Sequence, residues 1–113
     1  MEPGTTEEPG TTEGTAMFRH VVLITWKPDA TEAQKGVVAG ELGKLPGVID
    51  VIRGYRFGPD AGINPASCDF ALVADFDDAD GYLVYRDHPA HRKVVEDYLN
   101  PIVASRASAQ YRI

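Results

Sequence analysis

Residues 85–99 have the sequence YRDHPAHRKVVEDYL, and this stretch decides the fold because it contains the clearest helical pattern in the chain. Pro89 predicts a helix start, since its fixed φ suits the first helical position and its missing N–H is not needed there. One face then repeats with helical spacing through His91, Val94, Val95, Tyr98, Leu99 and Ile102. His91 is therefore predicted to face the interior, where its surroundings set its pKa. The alternative is a core histidine bonded to a backbone carbonyl.

The rest of the chain alternates between strand and helix patterns. Residues 18–27 predict a first strand that is apolar on both faces and has His20 beside Ile24 and Trp26. A capping box at Thr31 and Gln34 predicts a helix that ends at Pro46. Further strands are predicted at 48–58, 68–76 and 105–113, with a short helix from Asp77–Asp80 to Arg86.

The predicted order β-α-β-β-α-β indicates an α+β, ferredoxin-like fold with a four-stranded antiparallel sheet and helices on one face. The strands also carry apolar residues on the face that the helices leave uncovered: Val21, Leu23, Ala71 and Val73. A second copy of the chain would cover that face if the two sheets met face to face. The sequence therefore predicts a homodimer.

Composition bounds the class of protein. The 113 residues suffice for one domain, which we place at 17–113. Residues 2–7 and 8–13 repeat Glu-Pro-Gly-Thr-Thr-Glu, which predicts that residues 1–16 are a disordered tail. The net charge of −6 argues against nucleic acid as a partner. A lone cysteine, no signal-peptide pattern and no apolar run long enough for a membrane span predict a cytoplasmic protein with no membrane partner.

Two groups of residues raise the question of a metal. Four carboxylates precede the short helix: Asp75, Asp77, Asp78 and Asp80. Oxygen ligands of this kind suit Mg²⁺ or Ca²⁺, but acidic residues at a helix start are also favoured as caps. His88 and His91 lack a third ligand at a fixed spacing. We favour capping and predict no metal site.

Three segments resemble the stress-responsive A/B barrel (Dabb) domain family over nearly all of residues 17–113. They are His20 in the first strand, Thr31-Glu32-Ala33-Gln34-Lys35 at the first helix, and Tyr85 followed by His88-Pro89-Ala90-His91. The resemblance implies a dimeric α+β barrel with a pocket between the helices and the sheet. Members of the family include stress-associated proteins with no assigned reaction.

The resemblance also implies roles for single residues. Tyr85 and His91 are similar to the catalytic tyrosine and histidine of a plant member of the family, olivetolic acid cyclase, which closes a polyketide ring by aldol condensation. His20 and His88 match two further histidines of that pocket. Aromatic residues of that pocket correspond here to Val38, Ala39 and Leu42. The resemblance therefore implies a chemistry and leaves the substrate open.

These observations predict a site for a small organic molecule. Neutral His91 suits a general base and Tyr85 a donor to an oxyanion, in cyclase or lyase chemistry that needs no cofactor. We expect eight further residues to contact the ligand: His20, His88, Val22, Ile24, Val38, Leu42, Val94 and Tyr98. The alternatives are a stress-associated dimer without catalysis and a cofactor-free monooxygenase.

Overall fold

Four strands form one antiparallel sheet in the computed structural model, which describes residues 17–113. The strands are β1 (Phe18–Trp26), β2 (Gly54–Pro59), β3 (Phe70–Phe76) and β4 (Val103–Arg112), in the spatial order β2-β3-β1-β4. Helices α1 (Glu32–Gly43), α2 (Ala79–Asp87) and α3 (Pro89–Val94) complete the β-α-β-β-α-β order. The predicted ferredoxin-like α+β fold is confirmed, while the predicted tail at 1–16 lies outside the described residues.

The first helix begins where the sequence predicts. Gln34 N–H donates to the Thr31 hydroxyl at 3.1 Å, and Thr31 N–H donates to the Gln34 side-chain oxygen at 2.8 Å. This reciprocal capping box satisfies two amide groups that the helix itself leaves unpaired. Val38 and Leu42 lie on the buried side of α1.

The second strand is shorter than predicted, because residues 48–53 do not extend. After a 3₁₀ turn at Leu45–Gly47, the Ile49 N–H donates to the Leu45 carbonyl at 2.8 Å, so the chain is still turning. Ile49 is buried in the core from this turn. The apolar alternation at 49 and 51 therefore came from a packed connection, and β2 begins at Gly54.

The C-terminal helical segment is not one regular helix. α3 continues into a π-helical turn at Val95–Leu99, in which Asn100 N–H donates to the Val95 carbonyl five residues back, and then into a 3₁₀ turn at Asn100–Ile102. Pro101 has no N–H and its ring would clash with the carbonyl four residues earlier, so an α-helix cannot continue through it. The wider π-helical turn ends the α-helical hydrogen-bonding pattern before Pro101, and the 3₁₀ turn then leads into β4.

The hydrophobic core lies between the helices and one face of the sheet, where Ile24, Leu72 and Phe76 pack against Val38 and Leu42. The opposite face, which we call the open face, is covered by none of the helices within residues 17–113. Register places six apolar residues there: Val21, Leu23, Ala71, Val73, Ala107 and Ala109. No helix within residues 17–113 is long and apolar enough to cross a membrane.

Candidate functional site

A partly open cavity of about 190 Å³ lies between the sheet and the helical layer. Its wall is mainly apolar and is built by three strands and the helical layer. The lining residues are His20, Val22 and Ile24 of β1, Leu42 of α1, Leu72 of β3, Tyr82 and Tyr85 of α2, His91, Val95 and Leu99 of the C-terminal helical segment, and Arg106 and Ser108 of β4. An apolar protein cavity of about 150 Å³ binds benzene, so this one has room for a compact organic molecule.

His91 contributes to the wall with a ring whose tautomer is fixed. Its Nδ1 lies 3.0 Å from the carbonyl oxygen of Arg86. A carbonyl oxygen only accepts, so Nδ1 carries the proton and Nε2 of the neutral ring keeps its lone pair. Burial lowers the pKa of His91, and the hydrogen bond to Arg86 offsets only part of that effect. His91 is therefore both a histidine bonded to a backbone carbonyl and a neutral base beside a cavity.

Tyr85 packs against His91 through its ring and bonds elsewhere through its hydroxyl. The two ring centroids are 4.2 Å apart, with 36° between the ring planes. The Tyr85 oxygen lies 2.9 Å from the hydroxyl oxygen of Tyr55 on β2. Burial raises the pKa of Tyr85 well above its usual value and that of Tyr55 to about 12, so both hydroxyls stay protonated. One of the two hydroxyl protons forms the hydrogen bond between the oxygens, so the other hydroxyl proton is available for donation to a third group.

His20 is the second neutral imidazole in the wall. It is 7% exposed, and burial together with the nearby His91 lowers its pKa to about 4. The Gln110 amide nitrogen lies 2.9 Å from Nδ1 of His20 and donates to it, since an amide N–H₂ cannot accept. The His20 ring also packs against Tyr82, at a centroid distance of 4.8 Å. His20 thus brings polarity into the cavity without charge.

His88 has a structural contact outside the cavity wall. It is the N-cap of α3, and its Nδ1 accepts from the Ala90 N–H at 3.0 Å. The imidazole satisfies an amide of the first turn and so fixes where α3, and with it His91, begins.

The remaining residues predicted to contact a ligand are Val22, Ile24 and Leu42, which line the cavity, and Val38, Val94 and Tyr98, which do not. His91, Val95 and Leu99, four apart, line the cavity, whereas Val94 and Tyr98 lie on the adjacent row. Tyr98 lines a separate shallow depression with residues of α1, and Val94 is buried in the core. Val38 is likewise fully buried and lies outside the cavity wall.

Sequence reasoning placed no β4 residue in the site. β4 pairs with β1, which sets Ser108 opposite Val22 and Arg106 opposite Ile24 on the cavity side. The small apolar alternation of Ala107 and Ala109 was the available signal, because it assigns their neighbours to the helix-covered face. Tyr55 was also missed as the partner of Tyr85; nothing in the sequence links strand β2 to that hydroxyl.

Three of the four carboxylates considered for a metal have protein partners. Asp75 forms two hydrogen bonds with Arg19, at 2.8 and 2.9 Å, and Asp77 forms two with Arg53. Asp78 accepts from the Gly81 N–H at 2.9 Å and caps α2, as predicted. Among residues 17–113, no group of three or more potential ligands is arranged to hold a metal.

The fold and the site together define a ferredoxin-like α+β protein with a histidine-bearing cavity under its helices. A model of the stress responsive A/B barrel domain (Dabb) family matches residues 18–113. The chain belongs to this family, as its sequence segments predict.

Individual relatives agree with this assignment. An uncharacterized protein of Streptomyces coelicolor is 32% identical over 78 residues, which are 67% of this chain and 80% of the relative. A dimeric ferredoxin-like protein of unknown function from Thermobifida fusca has a TM-score of 0.80 at 37% identity, over 87% of this chain and 92% of its own. A hydroxynitrile lyase from Passiflora edulis has a TM-score of 0.76 at 17% identity, over 86% and 93%. That last likeness concerns the fold alone.

Proposed function

We propose that this Dabb protein is a homodimer that binds a compact organic molecule in the cavity and that His91 acts on it as a general base. The observation that carries the proposal is the His91 imidazole. Its Nδ1 proton is held by the Arg86 carbonyl, its lowered pKa keeps it neutral near pH 7, and it borders a mainly apolar cavity. Such a ring has one free basic nitrogen and little water to compete for it.

The open face supports the dimer. Val21 and Val73 pair across β1 and β3 there, and Leu23 is 41% exposed although it is flanked by apolar neighbours. Burying this face against a second sheet removes apolar surface from water at about 25 cal/mol per Å². The Thermobifida fusca relative, at 37% identity, is described as dimeric.

The chemistry that fits the residues is the making or breaking of a carbon–carbon bond next to a carbonyl. In the lyase direction, Nε2 of His91 removes the hydroxyl proton of a β-hydroxy carbonyl compound or a hydroxynitrile. The carbon–carbon bond then breaks to give an aldehyde and a carbanion, which takes the proton back from the imidazolium. The Tyr85–Tyr55 hydroxyl pair is the donor available to an oxygen that gains charge. Base catalysis of this kind contributes about 10²–10⁴ in rate.

A second candidate function is binding without turnover. It is favoured by the position of the Tyr85 hydroxyl, since Tyr85 is 2% exposed and its oxygen is already bonded to Tyr55. If that donor stays with Tyr55 when a ligand is bound, the cavity stores or carries the molecule and His91 only packs against it.

Mandelonitrile separates the two candidates, because its cleavage releases benzaldehyde, which absorbs in the near ultraviolet. At pH 5.5, where the spontaneous reaction is slow, we expect the wild type to release benzaldehyde and His91→Gln to lose this rate by about 10²-fold or more. His88→Asn is the matched control, since asparagine preserves the N-cap of α3 and removes an imidazole outside the cavity wall. Benzaldehyde binding without mandelonitrile cleavage by the wild type would favour the second candidate. Equal rates in the wild type and His91→Gln would overturn the base assignment.

A further inference from the structure

Arg106 brings the one permanent charge into the cavity wall. Of the twelve residues that line the cavity within 17–113, none is an aspartate or glutamate. The two histidines in the wall are neutral near pH 7, because burial lowers the pKa of each. The lining therefore presents a guanidinium to the cavity with no carboxylate beside it.

The partner of Arg106 differs from those of four other arginines. Four arginines form ion pairs with carboxylates: Arg19 with Asp75, Arg53 with Asp77, Arg86 with Asp87, and Arg92 with Glu96. Arg106 instead donates to the side-chain amide oxygen of Asn100, a neutral acceptor. A guanidinium has five N–H donors, so this bond leaves both its charge and most of its donors available.

Arg106 is exposed to solvent, and its place in β4 fixes the side of the sheet on which it lies. It pairs with Ile24 across β4 and β1, a position two residues along β4 from Ser108 and on the same side of the sheet. Both residues line the cavity, together with the apolar Val22 and Ile24. An exposed cation therefore borders an apolar chamber whose other polar groups are neutral rings and hydroxyls.

We infer that the ligand of this cavity is a small monocarboxylate, with its apolar body in the chamber and its carboxylate on Arg106. The inference rests on the proposed binding function and narrows it to one substrate class. A planar carboxylate matches the guanidinium fork and makes two charge-assisted hydrogen bonds. One cation balances one negative charge, whereas a phosphate dianion would place a second charge without a counter-ion against an apolar wall.

Arg106 then determines specificity and orientation, while His91 acts on the other end of the bound molecule. A neutral molecule of the same shape fills the same chamber but leaves the guanidinium bonded only to Asn100. The difference in affinity between the acid and the neutral molecule therefore measures the contribution of Arg106, apart from the contribution of the apolar chamber.

Benzoate and benzyl alcohol, titrated into the protein by calorimetry at pH 7 and low salt, test this directly. The two probes have the same ring and differ in charge. We expect the wild type to bind benzoate about ten- to a hundredfold more tightly than benzyl alcohol. Arg106→Gln should lose this preference and still bind benzyl alcohol, which also shows that the variant is folded. Arg112→Gln removes an equal charge from β4 outside the cavity wall and should behave like the wild type.

The possible outcomes separate the inference from the function it rests on. Equal binding of both probes by the wild type, or a benzoate preference that survives in Arg106→Gln, would overturn the monocarboxylate assignment and leave the cavity as a binding site. If the wild type binds neither probe, the proposed binding function fails, and the assignment fails with it.

Discussion

On β1, His20, Val22 and Ile24 face the helices, whereas Val21 and Leu23 face the other way. The helix-covered face combines neutral imidazoles and tyrosine hydroxyls with an unfilled volume of about 190 Å³. The open face has small and branched apolar residues, with one bidentate ion pair between Arg19 and Asp75 at its edge. A single strand thus serves two purposes at once, because alternate residues point to opposite sides. The proposed chemistry and the proposed association therefore belong to separate faces of the sheet.

The largest effect should come from placing a charge on the open face. Leu23→Asp puts a carboxylate opposite Ala71 and Ala107, with no cationic cross-strand partner, into both halves of a symmetric interface, at a cost of about 3–5 kcal/mol. We expect the dimer dissociation constant to rise by a hundredfold or more, measured by sedimentation equilibrium. Val84→Asp on α2, where the valine is 50% exposed, is the matched control and should leave association unchanged. If Leu23→Asp associates as well as Val84→Asp, the open face is not the interface.

The buried histidine His20 on the helix-covered face should make the free energy of unfolding depend on pH. The pKa of His20 is 6.5 when free and about 4 in the folded protein. Between these values the unfolded chain binds a proton that the folded chain does not, so the free energy of unfolding falls as the pH drops from 6.5 to 4. The loss attributable to His20 is at most about 3 kcal/mol.

His20→Gln removes this titration and should flatten the pH dependence, measured by urea unfolding at pH 7 and pH 4.5. His91 has a lowered pKa of the same sign, so part of the slope should remain in the variant. A slope in His20→Gln as steep as in the wild type would mean that His20 is accessible to protons in the fold.

A smaller effect is expected from the tyrosine pair. Tyr85→Phe leaves the hydroxyl of Tyr55 without its partner at 2.9 Å and should lower the free energy of unfolding by about 1–2 kcal/mol. Tyr55→Phe should cost a similar amount. The double variant removes both polar groups, so it should cost less than the sum of the single changes in urea unfolding. Additive losses would show that the two hydroxyls do not depend on each other.

The sequence predicts the fold well where local chemistry and tertiary structure agree. The Thr31–Gln34 capping box, the alternation from Phe70 to Phe76 and the helix start at Pro89 each appear as predicted. The beginning of β2 was wrong because Ile49 is buried from a turn, and burial alone imitates the alternation of a strand. Strand propensity and apolar pattern cannot distinguish a residue that is buried from a turn from one that is buried from a strand.

The site was predictable in part for a similar reason. The helical stripe placed His91 inward, but a stripe is wide enough to contain two rows of residues. Only tertiary packing decides that Val95 lines the cavity and that Val94 packs into the core. The alternation of Ala107 and Ala109 could have assigned Arg106 to the helix-covered face, but a charged residue in a strand gives no local sign that a cavity lies over it. Its role depends on the register with β1, which is a long-range property.

The imidazole of His91 offers the most direct test of the account, through the nitrogen resonances of the ring in the ¹⁵N-labelled protein at pH 7. We predict a neutral ring with the proton on Nδ1, as the bond to Arg86 requires, and an Nε2 signal that moves when benzyl alcohol is added. A ring protonated at pH 7, a proton on Nε2 instead of Nδ1, or no response at a saturating concentration of the probe would contradict the account.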